Sequence, residues 1–205
     1  MIALRLTGLV AVSLSLAACE ATPDAAPEAP APAAASAAAD TSAAIGLAES
    51  DVATATLAPL DSSGVSGTVS FRRLGEATEV RYTLAGLAPG MHGFHVHENA
   101  ACGADSTGVP GSAAGAHFNP VSSPHGAPGA ALTGRHAGDL GNVTADAAGR
   151  AEGIVIDSVL TFEGPTALVG RAVIVHEKTD DLATQPGGDS GGRLACGVTA
   201  AGSAR

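Results

Sequence analysis

Tryptophan is absent from this chain, and tyrosine and phenylalanine together make up only 2 per cent of its 205 residues. A core with so few rings has to be assembled from Val, Ile, Leu and Ala. Lysine is nearly as scarce: Lys178 is the only one, and 10 basic residues face 20 acidic ones for a net charge of −10. Neutralising a phosphate backbone requires clustered Lys and Arg, so nucleic-acid binding is excluded as a function. Three cysteines are too few for a disulfide-dense miniprotein or a four-thiolate zinc site. What the chain does have is turn formers, 27 Gly and 12 Pro, a composition that points away from a helical bundle.

The N-terminal apolar run, Leu6 to Leu16, would make a helix of about 16 Å against a hydrocarbon core of roughly 30 Å, too short to span it. Arg5 precedes the run and Leu16-Ala17-Ala18-Cys19 closes it, the pattern of a secretory leader. A cysteine directly after Leu-Ala-Ala resembles a bacterial lipoprotein box, which implies that Cys19 is lipidated and becomes the new N-terminus. Residues 20–50 hold 14 Ala and 4 Pro, with no aromatics and no apolar stripe to dock. Prolines 23, 27, 30 and 32 favour extended, solvated chain, so this stretch reads as a tether. The organisation is therefore leader 1–19, tether 20–50 and one domain over 51–205, held outside the cytoplasm, in a periplasmic setting, by an N-terminal lipid anchor.

Within the domain, Val65, Gly67, Val69 and Phe71 alternate with Ser66, Thr68, Ser70 and Arg72, and Val80, Tyr82 and Leu84 alternate with Arg81, Thr83 and Ala85. Period-two patterning of this kind sets one face in a core and the other in water. The segment Arg73 to Glu76 turns between the two strands through Gly75. Further strands are expected near Val52–Leu57, Phe94–His97, Leu140–Thr144, Ala151–Ile156, Ala172–Val175 and Leu194–Val198, about eight in all. Gly/Pro-rich stretches 99–138 and 177–192 interrupt them, and loops of that length in a compact domain are usually functional. The expected fold is all-β, an eight-stranded antiparallel barrel or sandwich carrying two long working loops.

Seven histidines, His92, His95, His97, His117, His125, His136 and His176, fall within 85 residues of one another. His95 and His97 stand two apart on a strand, so both rings leave the same face and Val96 points to the other. That spacing suits two imidazoles on one metal ion. His136 and Asp139, three apart around a turn, can converge in the same way. Imidazole suits copper and zinc, and one carboxylate among nitrogens is compatible with tetrahedral zinc.

The strings Gly93-Phe94-His95-Val96-His97-Glu98, Gly115-Ala116-His117-Phe118-Asn119-Pro120, His136-Ala137-Gly138-Asp139-Leu140-Gly141-Asn142, Val175-His176-Glu177-Lys178 and Arg193-Leu194-Ala195-Cys196-Gly197 resemble, in order, those of copper/zinc superoxide dismutase. The resemblance covers roughly residues 52–200 and implies a Greek-key barrel of immunoglobulin-like architecture. It implies copper on His95, His97, His117 and His176, and zinc on His117, His125, His136 and Asp139, with His117 serving both through its two ring nitrogens. It also implies that Asp180 is hydrogen-bonded to one histidine of each set, His95 and His125, that His92 is structural, and that Cys102 and Cys196 form a disulfide. The implied substrate is superoxide, one anion oxidised to oxygen and a second reduced to hydrogen peroxide as copper cycles between Cu(II) and Cu(I). Arg193 would hold the anion at the copper mouth, and His117 would carry a proton to the peroxide.

The chain departs from the family pattern in three places. Segment 184–192 replaces a longer loop carrying lysine and glutamate, and only Asp189 is charged there. The spans His97–His117 and His125–His136 are longer than in the common eukaryotic form. The tail after Val198 carries over none of the usual dimer contacts, which leaves a homodimer open. The alternative from another class is a non-catalytic lipoprotein that stores or delivers copper or zinc. Such a protein gives no reason to keep all seven ligands together with Arg193, and a purely structural lipoprotein gives none for the histidines.

Overall fold

The computed structural model describes residues 52–202; the leader, Cys19, the tether and residues 203–205 lie outside the described residues. Strands follow one another as β1 (Val52–Pro59), β2 (Ser66–Leu74), β3 (Ala77–Ala85), β4 (Gly90–His97), β5 (Asp139–Ala145), β6 (Arg150–Asp157), β7 (Ala172–His176), β8 (Arg193–Val198) and a two-residue β9 (Ala200–Ala201). Helical geometry among the described residues is limited to 3-10 turns at Ser112–Ala114 and Leu132–Gly134. Ladders between named strands are all antiparallel, in the spatial order β5-β4-β7-β8-β1-β2-β3-β6. The two ends of that order, β5 and β6, are joined by the turn 146–149, so the sheet curls into a nearly closed barrel. Connections β3–β4 and β6–β7 cross between its halves, which is the Greek-key arrangement.

The expected eight strands are the eight found. The ninth carried no signal, because two alanines have no period; its ladder with Ala53 and Thr54 of β1 defines it. Strands β2 and β3 follow the alternation that their sequences predict, with Val69, Phe71, Val80 and Leu84 buried and Thr68, Arg72, Arg81 and Thr83 exposed. The pairing Leu74↔Ala77 closes this hairpin with two residues, and Gly75 takes the left-handed conformation, φ 62°, that such a turn requires.

Alternation of exposure breaks down on β4 and β7, where six and five consecutive residues are buried. Both faces are covered there, as in a sheet sandwiched between layers. Phe94, Val96, Val173 and Val175 join the barrel core, and each such side chain contributes roughly 1.5–3 kcal/mol when fully buried. His95 and His97 leave the opposite face and lie under the two long loops. The loop between β4 and β5 is held there by a small second core, in which Ala114 packs with Ala172, Ile174 and Cys196 beside Leu60 and Cys102. A disulfide joins Cys102 in that loop to Cys196 on β8, 94 residues later. Replacing both cysteines by alanine is expected to cost about 4–5 kcal/mol on the loop-entropy model. Urea unfolding of the oxidised protein and the double variant, compared by midpoint at unchanged slope, measures it.

Candidate metal centre

Four buried imidazoles meet on the outer face of the β4–β7 ladder: His95 and His97 from β4, His176 from the end of β7, and His117 from the loop that follows β4. A single bridge between His97 and His117 draws that loop onto the strand. The ligand atoms of the four lie within 4.8 Å of one another. Hydrogen bonding at the far side of three rings decides which nitrogen is bare. His95 donates from Nε2 to Asp180 Oδ2 at 2.7 Å, His97 from Nδ1 to the Gly115 carbonyl at 3.0 Å, and His176 from Nδ1 to the Gly191 carbonyl at 3.4 Å. Nδ1 of His95 and Nε2 of His97 and His176 are left as lone pairs, and the two Nε2 atoms face each other at 3.4 Å. His95 Nδ1 is fully buried with no partner, which is costly unless a cation takes it.

A second group shares His117 and adds His125, His136 and Asp139. Asp139 begins β5 and is fully buried; its Oδ2 accepts the backbone N–H of Gly126 at 3.0 Å and of His136 at 2.8 Å. Its Oδ1 is thereby aimed at three Nδ1 atoms, those of His117 at 2.8 Å, His125 at 3.0 Å and His136 at 3.1 Å. Ligands about 2.0–2.1 Å from a tetrahedral zinc stand roughly 3.3 Å from one another, so these separations fit a small tetrahedral cation. His125 Nδ1 is buried and, despite that proximity, makes no hydrogen bond of sound geometry. His117 commits Nδ1 to this group, which leaves Nε2 for the first.

Asp180 joins the two groups. Its Oδ2 takes His95 and its Oδ1 takes His125 Nε2 at 2.9 Å, the contacts that the sequence reading expected of it. Gly188 lies so close that a Cβ there would stand 1.8 Å from Asp180 Oδ1. His92, expected to be structural, places its ring nitrogens 2.9 Å from the His176 carbonyl and 2.8 Å from that of Ala88.

Three supports went unread in the sequence. Arg135 is fully buried; it donates to the carbonyls of Ala130, His136, Ala137 and Asp139 and pairs with Asp157 at 2.5 Å. It locks the ligand-bearing turn 136–139 to the end of β6, and removing one partner of such a pair typically costs about 3–5 kcal/mol. Its signal was available, since Arg135 is the only charged residue between Asp105 and Asp139. Asn142 and Gln185 use their side-chain amides to grip the backbones of Asp180 and His125, and nothing local in the sequence marks either.

An open cavity of about 640 Å³ leads to the histidines, with His97, His117, His176 and Arg193 in its wall. Arg193 opens β8 and reaches back to the loop 98–138, donating to Gly111 O at 2.5 Å and Gly115 O at 2.6 Å. The Gly115 carbonyl thus positions both His97 and the guanidinium. Gly115 itself sits at φ 76°, ψ −153°, a conformation essentially confined to glycine.

A family model described as copper/zinc superoxide dismutase matches residues 65–199. One solved structure, titled a crystal structure analysis of the clock protein EA4, is similar at 36% identity, with 76% of this chain and 98% of that chain covered and a TM-score of 0.65.

Burial pushes His95 down to about 4, against the pull of Asp180. Burial and then neighbouring imidazoles push His97 and His176 well below 6.5, and burial also lowers His136. Burial opposes ionisation of His125 as well, but its contacts with Asp139 and Asp180 outweigh this and raise it to about 9. Burial alone would raise both carboxyls; hydrogen bonds from the histidines instead hold Asp139 and Asp180 below the usual carboxylate range. Without metal, the four lowered histidines contribute stability that is complete above pH 6.5 and is lost as pH falls toward 4. The His125 contribution is complete below 6.5 and is lost as pH rises through about 9. The metal-free protein is therefore expected to be most stable near neutrality and to weaken more steeply on the acid side, where four groups act against one. Thermal unfolding in a chelator from pH 4.5 to 9.5 checks this, and a melting temperature that rises on acidification from 6.5 contradicts it.

Proposed function

The chain belongs to the copper/zinc superoxide dismutase family, and from that premise we propose that it dismutes superoxide outside the cytoplasm. Copper is assigned to His95, His97, His117 and His176, and zinc to His117, His125, His136 and Asp139. The observation that carries the assignment is the convergence of bare imidazole nitrogens, those of His95, His97 and His176 each held in one tautomer by an acceptor behind it, beneath a cavity that also presents Arg193. Four imidazoles suit copper, and three with a carboxylate suit tetrahedral zinc.

Copper, when bound, supplies a one-electron couple, and zinc a fixed positive charge without redox chemistry. Two superoxide anions and two protons leave as one oxygen and one hydrogen peroxide. Residues 51–205 carry 15 acidic and 9 basic side chains, so a uniform field would repel the substrate. The cavity needs a local positive focus, and Arg193 provides it within the chain. Burial lowers Arg193 from its ordinary value, yet a guanidinium stays charged under any working condition. Its two carbonyl contacts use two of five donors, and the remaining N–H groups are free to hold a diatomic anion. Asp139, at Nδ1, fixes the orientation of His117, whose Nε2 would carry a proton to the departing peroxide whenever that nitrogen is not serving as a ligand.

The extracytoplasmic location rests on the leader pattern and is supported by the Cys102–Cys196 bridge, since such bonds persist in oxidising compartments. Attachment through Cys19 predicts incorporation of a fatty-acid label that is lost in Cys19→Ser. Superoxide decay followed by pulse radiolysis tests the activity, with the copper- and zinc-loaded protein, the metal-free protein and Arg193→Ala. Fast copper-dependent decay is expected, slowed about tenfold or more in Arg193→Ala. Decay no faster than free copper, with both metals bound, would overturn the dismutase and leave the metal-carrying lipoprotein.

A further inference from the structure

Gln185 is the only glutamine in the chain and lies in the loop between β7 and β8. Its side-chain amide closes a two-point grip on the backbone of His125, which belongs to the other loop. The His125 N–H donates to Gln185 Oε1 at 2.8 Å, and Gln185 Nε2 donates to the His125 carbonyl at 3.0 Å. The same Nε2 donates to the carbonyl of Ala183 at 3.0 Å, so one amide spans both segments. His125 lies in no strand or helix, and both its backbone N–H and its carbonyl are taken by this grip. Asn142 treats Asp180 in the same way, accepting its N–H at 2.8 Å and donating to its carbonyl at 2.9 Å. Between these two grips the backbone at Gly188, φ 68°, is pressed against Asp180 and His125. Thr184, Gln185, Pro186 and Gly187 form part of the cavity wall that also contains Arg193.

We propose that Gln185 is a positioning residue that latches the cavity-walling loop to His125 and so holds that residue's backbone in place for zinc. The inference rests on the zinc assignment above. Fixing His125 prepays part of the ordering that a ligand on an irregular segment would otherwise lose on binding, and groups of this kind are typically worth 10–100-fold in metal affinity. The chemistry demands an amide: a carboxylate in its place accepts the His125 N–H but turns an oxygen on the carbonyls of His125 and Ala183.

The test uses the full chain stripped of metal, with zinc affinity measured against a chromophoric chelator and cobalt(II) as a spectroscopic stand-in. Wild type is expected to show the visible absorption of four-coordinate cobalt, lost in His136→Ala, and to gain amide-exchange protection over residues 183–190 when zinc is added. Gln185→Ala and Gln185→Glu are each expected to bind zinc 10–100-fold more weakly, with copper affinity within about twofold of wild type and the gain in protection reduced. Zinc affinity within twofold of wild type in both variants overturns the latch, as does equal weakening of zinc and copper, which marks general loosening. A wild-type protein without the four-coordinate signal, or a His136→Ala protein that keeps it, overturns the zinc assignment itself and the latch with it.

Discussion

One buried carboxylate, Asp180, settles the chemistry on both sides of it. By accepting from Nε2 of His95 and of His125, it fixes two rings in one tautomer and leaves both Nδ1 atoms bare and buried. Each contact is charge-assisted and lies where little water screens it. Asp180 is itself held by Asn142 through its backbone and by the Leu182 N–H at 2.7 Å. The two metal groups are therefore tied together behind their ligands through Asp180, as well as through the shared ring of His117.

The cost of burying so many polar rings is met by the barrel and by the fastening of the loops. Phe94 and Val96 anchor β4 in the hydrophobic core while its histidines face outward, so these rings ride on a well-packed wall. Segment 98–138 is fastened by the disulfide, by the small core around Ile174 and by the Arg135–Asp157 pair. Segment 177–192 is fastened by the amides of Asn142 and Gln185. Loops of this length tolerate functional geometry only when such contacts offset their conformational entropy.

Charge is arranged against the overall balance. The protein is net negative, yet its cavity gathers imidazoles and a guanidinium whose carbonyl partners, Gly111 and Gly115, leave its remaining donors open. Glu98 and Asp189 also line the cavity, and Asp189 stands 3.7 Å from Lys178, both well exposed. An exposed pair at that distance is worth little, and Arg193 is the one guanidinium lining the cavity among the described residues.

Most of the barrel was legible because strand patterning is local: Val69 and Phe71 alternate with their neighbours whatever lies across the sheet. So were the pairs His95/His97 and His136/Asp139, whose convergence follows from two- and three-residue spacing. The remaining ligand assignments came through resemblance of whole motifs, since no spacing relates His117 to His176. The sequence by itself determined the strands, the two long loops and the local convergence of His95 with His97 and of His136 with Asp139. Tertiary structure alone decided which ring nitrogens are bare, that Arg135 pairs with Asp157, that Gln185 grips His125 across 60 residues, and that one carbonyl, Gly115, serves both His97 and Arg193. Those contacts join segments far apart in the chain, and they depend on the path each loop takes over the barrel, which no periodicity encodes.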